Sequence, residues 1–307
     1  MVGYGGQEAN GRELTTSEYS EAGLLSGIAT RCIIQPLDVL KIRFQLQEEP
    51  MHGSRKGKYS GIVQALLLIR KEEGMAAFWK GHVPAQGLSA IYGIIQFTCF
   101  EVLTKQALHV PIALTYRGVT DFVCGAVAGC CAMTAAMPLD VIRTRLVAQG
   151  EPKVYRGTLH ATLCIWKFEG LRGYFRGLSP SLAQIAPYTG IQFALYNWFV
   201  GLWKRFINRY ESTGALMCGA LAGTASKTML YPLDMVRHRL QMRGFKRRGF
   251  GKTTQCQSMV DTFIHVTRNE SALGLFKGLW PSMLKAAANS GFAFLFYELS
   301  LDLIRTL

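Results

Sequence analysis

The sequence predicts an all-α membrane protein with six transmembrane helices in three pseudo-symmetric repeats. Three observations carry this prediction: long stretches without charged residues, one motif that occurs three times, and basic residues collected in the loops between hydrophobic stretches. The chain has 307 residues, of which 49% are hydrophobic, and a mean hydropathy of +0.15. These totals favour a buried or lipid-facing surface but leave a soluble fold open.

Six apolar stretches are long enough to cross a bilayer core, which takes about 20 helical residues. Residues 81–100, 122–139 and 178–203 contain no Asp, Glu, Lys or Arg. Residues 22–37, 214–233 and 279–297 are nearly as apolar and are interrupted by Arg31, Lys227 and Lys285 respectively. A charge inside a span is costly and usually faces the bundle interior or a water-filled cavity. These three cations are therefore candidate site residues.

The net charge of +14 would suggest nucleic acid in a soluble protein, but here the basic residues collect in the loops after spans one, three and five. These loops are long and basic, whereas the loops after spans two and four are short, so the basic loops are expected on the interior side of the membrane and both termini on the opposite side. We expect no nucleic-acid partner. The first twenty residues match neither a secretory signal nor an arginine-rich transit peptide, so no cleavable presequence is evident.

One element occurs three times at spacings of 102 and 94 residues. It reads Pro36-Leu-Asp-Val-Leu-Lys-Ile-Arg43, Pro138-Leu-Asp-Val-Ile-Arg-Thr-Arg145 and Pro232-Leu-Asp-Met-Val-Arg-His-Arg239. A second element follows each copy: Glu73-Gly-Met-Ala-Ala-Phe-Trp-Lys-Gly81, Glu169-Gly-Leu-Arg-Gly-Tyr-Phe-Arg-Gly177, and Glu270-Ser-Ala-Leu-Gly-Leu-Phe-Lys-Gly278. Each repeat thus consists of a span, a basic loop with a short amphipathic helix, and a second span.

The repeats are expected at 17–110, 116–208 and 212–307, after an N-terminal tail at 1–16, and together form one transport domain. Upstream of each proline is a glycine pair at GxxxG spacing, which would let helices approach closely in lipid. The pairs are Gly23 with Gly27, Gly125 with Gly129, and Gly219 with Gly223.

At these residues the sequence resembles the mitochondrial carrier family, whose two motifs recur in each of three repeats. The resemblance covers nearly the whole chain. It implies a multi-pass transporter of the mitochondrial inner membrane with one central substrate site and alternating access. It also implies a monomer, with anionic lipid as a possible partner at the repeat glycines of the matrix side.

A proline inside a membrane helix removes a hydrogen bond and kinks the helix, so Pro36, Pro138 and Pro232 could bring the odd-numbered helices together at one end. The resemblance implies a matrix-side gate of ion pairs between neighbouring repeats, some of them braced by a glutamine. An alternative is that the pairs only hold the fold together. The pairs are Asp38 with Arg143, Asp140 with Arg237, and Asp234 with Lys41; the braces are Gln45 and Gln241, with Val147 at the third position.

On the opposite side, the family has a second gate built from an aromatic-acidic-x-x-basic pattern. In this chain that pattern is degenerate, because Glu101 is followed three positions later by Thr104, Asn197 replaces the acidic residue, and Glu298 is followed by Leu301. We expect this gate to be weak or differently built.

A residue seven positions before a motif aspartate shares its helix face to within ~20°. This rule selects Arg31, Lys227 and Met133, and places the first two on the cavity face. Because only repeats one and three supply these cations, the substrate is expected off-centre between them. In the family, the main contact points are matched by Leu88, Gln184 and Lys285, and one turn onward lie Tyr92, Tyr188 and Asn289. Lys285 is expected to serve the site without touching the gate.

Three cations and no carboxylate outside the gate favour an anionic substrate such as phosphate or carboxylate, and the aromatic residues suit a phosphorylated heteroaromatic compound. Several further stretches, including residues 77–86 and 281–286, resemble the branch of the family that transports thiamine pyrophosphate. That resemblance implies thiamine pyrophosphate as the transported substrate, with a nucleotide as counter-substrate and no cofactor. Carriers for nucleotides, deoxynucleotides or coenzyme A use the same chemistry and remain alternatives.

Two other classes of protein fit the sequence less well. A non-transporting helical scaffold should carry charges on the outer face of every helix, which the 26 uncharged residues at 178–203 argue against. An enzyme should show a catalytic motif, and the chain has no nucleophile elbow, P-loop or dinucleotide-binding glycine pattern. The eight cysteines show no metal-binding spacing and are interpreted as small buried hydrophobic residues, so no metal is expected.

Overall fold

Six long helices dominate the computed structural model, which describes residues 15–49, 57–107, 109, 116–207, 212–245 and 256–306. They contain 26 to 32 residues each, more than the 20 or so needed to cross a bilayer core. All regular secondary structure in the described residues is helical, which confirms the predicted fold class. The long helices are α1 (Thr16–Leu46), α3 (His82–Ala107), α4 (Arg117–Ala148), α7 (Leu178–Ile207), α8 (Ser212–Gln241) and α10 (Leu279–Thr306).

Length and composition alone single out three helical ranges as membrane spans: Ser17–Leu46, Met75–Ala107 and Arg117–Ala148. The other long helices, α7, α8 and α10, are not singled out by this criterion, and Lys227 interrupts α8 and Lys285 interrupts α10. Their assignment as spans follows from the threefold repeat, in which they occupy the same places as the first three.

The first helix of each repeat continues without a break through its proline, so Pro36, Pro138 and Pro232 lie inside α1, α4 and α8. The most extensive packing joins α10 to α1, α3 to α4, and α7 to α8, always between neighbouring repeats. Most of the buried apolar core lies after the prolines, for example at Val39 and Val141, where α1, α4 and α8 contact one another. The bundle is therefore closed most tightly at this motif end.

The short helices α2 (Ile62–Glu73), α5 (Thr158–Glu169) and α9 (Met259–Glu270) lie in the loops at the motif end, as predicted. Each buries two residues four positions apart, such as Ala65 and Ile69 in α2, which is one face of a helix. One-turn helices follow each of them: Met75–Trp79 and Ala272–Phe276 of the 3₁₀ type, and α6 (Leu171–Tyr174).

The residue that ends each of these short helices has a left-handed φ. Gly74 has φ 79°, Gly170 has φ 63° and Ser271 has φ 72°. With ψ of 168°, Ser271 occupies a region that is nearly restricted to glycine and costs about 1–3 kcal/mol in other residues. The serine in the third copy of the motif is therefore a strained substitution for glycine.

Two expectations about small residues need correction. Gly129 allows close packing, since a Cβ there would lie 3.1 Å from Ile185 of α7, but Gly23 and Gly27 have no neighbouring atom within 4 Å of that position among the described residues. The interpretation of the cysteines as buried holds for Cys124 and Cys218 but is wrong for Cys131, which is exposed. Spacing alone does not reveal which face of a helix meets a neighbour.

Candidate functional site

A ring of three ion pairs joins α1, α4 and α8 just after the prolines. Arg143 contacts Asp38 at 2.5 Å, Arg237 contacts Asp140 at 2.5 Å, and Lys41 contacts Asp234 at 2.6 Å. Every pair links one repeat to the next, so the three together close a cycle. The pairings expected from the motif are all present.

Two of the three pairs are held by a glutamine one turn further along the helix. Gln241 donates a hydrogen bond to Asp140 and accepts one from Thr144 at 2.7 Å. Gln45 donates to Asp234 at 3.1 Å and to the hydroxyl of Tyr231 at 2.9 Å. Each glutamine bonds the same carboxylate oxygen, Oδ2, as the basic partner, and so helps to hold the carboxylate in place.

The third pair lacks such a brace and has a second cation instead. Val147 is fully buried at the brace position, and among the described residues no glutamine contacts Asp38. The ammonium of Lys285 on α10 lies 2.5 Å from Asp38, which therefore contacts two cations. The expectation that Lys285 serves the site without touching the gate is wrong, because its side chain reaches from α10 to the motif carboxylate of α1.

A second ring of ion pairs, one turn further along, connects the two repeated motifs. Arg43 makes two bonds to Glu73, at 2.6 and 2.7 Å, and donates to the carbonyl oxygens of Val147 at 3.1 Å and Gln149 at 3.2 Å. The equivalent residues do the same in the other repeats. Arg145 pairs with Glu169 and donates to the carbonyls of Gln241 and Arg243, and Arg239 pairs with Glu270 and donates to the carbonyls of Gln45 and Gln47.

We call this second ring the outer ring, and the ring of Asp38, Asp140 and Asp234 with their cations the inner ring. Each glutamate of the outer ring also binds the basic residue of its own motif. Lys80 contacts Glu73 at 2.6 Å, Arg176 contacts Glu169 at 2.7 Å, and Lys277 contacts Glu270. Burial alone would raise the pKa of Glu73, but the hydrogen bonds and charges of its two cations outweigh burial and lower it. The carboxylate therefore stays ionised and holds the short helix against the bundle.

The final glycine of each second motif lets the chain pass close to the next helix. Gly81, Gly177 and Gly278 have φ of 77°, 82° and 84°. A Cβ at these positions would lie 3.1, 2.8 and 3.0 Å from the carbonyl oxygens of Arg143, Arg237 and Lys41 respectively. A side chain does not fit there, so these glycines set the distance between repeats at the ring of ion pairs.

The other two candidate cations lie in the neighbouring turns and are half-buried. Arg31 donates to the side chain of Gln86 at 3.3 Å, and Lys227 donates to the carbonyl oxygen of Ser282 at 3.0 Å. Neither has a carboxylate within ion-pair distance among the described residues. Arg31 and Lys227 thus bond neutral groups, whereas the cations of the ion-pair ring bond carboxylates.

The uncharged candidates lie on α3, α7 and α10, and in the described part of the chain no hydrogen bond joins them to Arg31 or Lys227. Leu88, Tyr92, Gln184 and Tyr188 are half-buried, and Asn289 is exposed. Met133, at the place that corresponds to the two cations, is buried and its sulfur accepts a long contact of 3.8 Å from Arg237.

On the side opposite the gate, Glu101 pairs with Lys105 one turn away on its own helix at 2.6 Å. This pair cannot connect two helices, in line with the degenerate pattern in the sequence. Among the described residues, no group of three His, Cys, Asp or Glu side chains could hold a metal ion.

The sequence pattern of one family, described as mitochondrial carrier protein, matches the chain three times, at residues 12–109, 115–206 and 208–306. The chain belongs to the mitochondrial carrier family. Its membership makes it a multi-pass transporter of the mitochondrial inner membrane rather than an enzyme, and it places the ring of ion pairs in a carrier with three repeats.

Several similar mitochondrial carriers are named for one substrate. The chain is 45% identical over 305 residues to the mitochondrial thiamine pyrophosphate carrier of Homo sapiens, covering 97% of this chain and 95% of that protein. It is 36% identical over 321 residues to mitochondrial thiamine diphosphate carrier 2 of Zea mays, covering 93% of each. It is 37% identical over 294 residues to mitochondrial thiamine pyrophosphate carrier 1 of Coccidioides immitis, covering 92% of each.

Proposed function

We propose that this chain exchanges thiamine pyrophosphate across the mitochondrial inner membrane, against a nucleotide, by alternating access. The observation that carries the proposal is the cluster of three half-buried cations, Arg31, Lys227 and Lys285, next to a ring of ion pairs. The names of relatives that cover more than nine-tenths of the chain point to the same substrate.

The cations suit the diphosphate end of this substrate. Phosphate oxygens accept strong charge-assisted hydrogen bonds from guanidinium and ammonium groups. Since Arg31 and Lys227 have no carboxylate partner among the described residues, a diphosphate supplies the counter-charges that the protein does not. Gln184 and Asn289 offer amide groups, and Leu88 offers apolar surface on the second span.

The opposite end of the substrate is a cationic thiazolium ring. Tyr92 and Tyr188 supply aromatic faces one helical turn from the contact points, and a cation over such a face is stabilised by about 0.5–2 kcal/mol. With Met133 in place of a third cation at the motif position, we place the diphosphate between repeats one and three, and the ring toward repeat two.

The ion-pair ring is proposed to act as the gate that closes the site toward the matrix. Asp38, Asp140 and Asp234, with Lys41, Arg143 and Arg237, can form and break pairs as the three repeats move, while Gln45 and Gln241 stabilise the closed state. Proline kinks at Pro36, Pro138 and Pro232 provide the bends that bring the helices together. A ligand shifts such an equilibrium only if it binds the two states differently, and the cations beside the gate provide that difference.

Orientation and lipid contacts follow from the same geometry. We place the motif end and the basic loops on the matrix side and both termini toward the intermembrane space. A cavity of about 380 Å³ lies at the starts of α2 and α10 and is lined by Gly61, Lys277, Gly278, Trp280 and apolar side chains. Helix starts of this kind attract anions, so we assign an anionic lipid headgroup there and a monomeric carrier embedded in lipid.

Uptake by reconstituted liposomes tests the substrate. Purified protein is reconstituted with internal thiamine pyrophosphate, ADP, deoxynucleotide or coenzyme A, and uptake of labelled thiamine pyrophosphate is measured. Fast uptake with thiamine pyrophosphate or a nucleotide inside is the expected result. Labelled ADP, deoxynucleotide and coenzyme A are supplied outside in parallel. Little uptake of labelled thiamine pyrophosphate under every internal condition, together with fast uptake of one of the other compounds, would assign that compound as the substrate instead.

A further inference from the structure

The three pairs of the gate are not equivalent, although the motif that forms them is repeated. Asp140 and Asp234 each receive a glutamine donor as well as a basic partner, whereas Asp38 receives Arg143 and Lys285. Among the described residues, the buried Nε of Arg143 has no hydrogen-bond partner. The pair between repeats one and two is therefore the one with the fewest bonds to neighbouring backbone and amide groups.

Lys285 differs from the other cations of the gate in where it comes from. The other three cations, Arg143, Arg237 and Lys41, belong to the motif helices α4, α8 and α1, whereas Lys285 extends from α10. Lys227 of α8 lies nearby, because it donates to the carbonyl oxygen of Ser282, one turn before Lys285 on α10. Its side chain is 29% exposed, more than the side chains of the three motif cations, which are 14 to 16% exposed. Lys285 thus lies between the substrate site and the gate.

We propose that Asp38 and the phosphate groups of the substrate compete for Lys285, so that substrate binding removes a cation from the one unbraced pair and this pair opens first. The competition is electrostatic: the ammonium of Lys285 has three N–H donors but one positive charge, and the Asp38 carboxylate at 2.5 Å both neutralises that charge and repels an approaching diphosphate. The inference rests on the proposed function, because it requires a phosphorylated substrate. It assigns Lys285 a coupling role in addition to binding.

Opening order follows from the same asymmetry. Separating Arg143 from Asp38 breaks no hydrogen bond from a glutamine in the described part of the chain. Separating either of the other pairs also breaks the hydrogen bond that Gln45 or Gln241 donates to the carboxylate. One net hydrogen bond corresponds to about a fivefold difference in an equilibrium. Repeats one and two therefore separate at the gate before the other two interfaces.

A double-mutant cycle tests the competition. The dissociation constant of thiamine pyrophosphate is measured by calorimetry for the wild type, Asp38→Asn, Lys285→Ala and the double variant, with Asp140→Asn as matched control. Asp38→Asn is expected to tighten binding about fivefold in the wild-type background and to have no effect once Lys285 is alanine. Asp140→Asn removes an equivalent carboxylate that Lys285 does not contact, so it should show no coupling to Lys285.

A change of binding by Asp38→Asn that is the same with and without Lys285 would overturn the proposal. Absence of thiamine pyrophosphate binding by the wild type would instead overturn the proposed function, so the two failures are distinct. Val147→Gln adds the missing brace without altering charge and covers the case in which Asp38→Asn does not fold. It is expected to slow exchange about fivefold, whereas unchanged exchange in a folded Val147→Gln protein would contradict the opening order.

Discussion

Replacement of Arg145 by methionine should destabilise the carrier more than any exposed substitution. Arg145 is fully buried and makes four bonds: two to Glu169 at 2.5 and 2.9 Å, and two to the carbonyls of Gln241 and Arg243 at 3.0 and 2.9 Å. Removing one partner of a buried ion pair costs about 3–5 kcal/mol. Because Arg176 still contacts Glu169, we expect the lower value of about 3 kcal/mol.

Thermal unfolding of the purified protein in detergent measures this effect. For a chain of this length, a loss of about 3 kcal/mol lowers Tm by about 5 °C, from an unfolding entropy of roughly 2 cal/mol/K per residue. Arg172→Met, which replaces an exposed arginine in the same repeat, is the matched control and should leave Tm nearly unchanged. Arg145→Lys keeps the charge but not the fork geometry and should give an intermediate loss. Equal Tm values for Arg145→Met and Arg172→Met would refute the reasoning.

Three further outcomes are expected. Ser271→Gly should raise the free energy of unfolding by about 1–3 kcal/mol, because it relieves the left-handed strain. The reverse change at the equivalent position of repeat one, Gly74→Ser, should lower the free energy of unfolding by a similar amount. Tm shifts of the same sign for both variants would contradict this. Because the pKa of Glu73 in the folded protein lies below its ordinary value, its ion pairs contribute stability at neutral pH, and this stability is lost as the pH falls below about 4.3. Glu73→Gln should therefore make Tm fall less steeply with acid, whereas the control Glu72→Gln should not. Charge reversal at Asp140 to arginine should abolish exchange, and the added change Arg237→Asp should restore part of it, which a functionally irrelevant pair would not show.

The sequence predicts the pairs of the inner ring because they obey the repeat. Asp38 and Lys41 occupy fixed positions of a motif that lies on the first helix of every repeat. The resemblance to the family implies a pair between neighbouring repeats, and threefold symmetry then decides which cation meets which carboxylate. The six helices follow similarly, because charge-free stretches and prolines recur with the same spacing. Helix ends are less predictable: α1 continues to Leu46, well past the last apolar residue of its predicted span at 22–37.

The contact of Lys285 with Asp38 could not be predicted in this way. A charge within a span is expected to face the bundle interior, which orients Lys285 inward, but its distance from α1 depends on how the two helices pack and on how far the side chain extends. The outer ring was missed for another reason. Its partners are 30, 24 and 31 residues apart and separated by loops, so no helical period connects them. The signal that could have found them is that Arg43 and Glu73 recur together in all three repeats.

The most direct test of the account is counter-substrate dependence of transport. Labelled thiamine pyrophosphate is supplied outside liposomes that contain the wild-type protein, either loaded with unlabelled thiamine pyrophosphate or empty. The account predicts rapid uptake into loaded vesicles, little uptake into empty ones, and a large loss of the loaded signal in Lys285→Ala. Equal uptake into loaded and empty vesicles, or full exchange by Lys285→Ala, would contradict it.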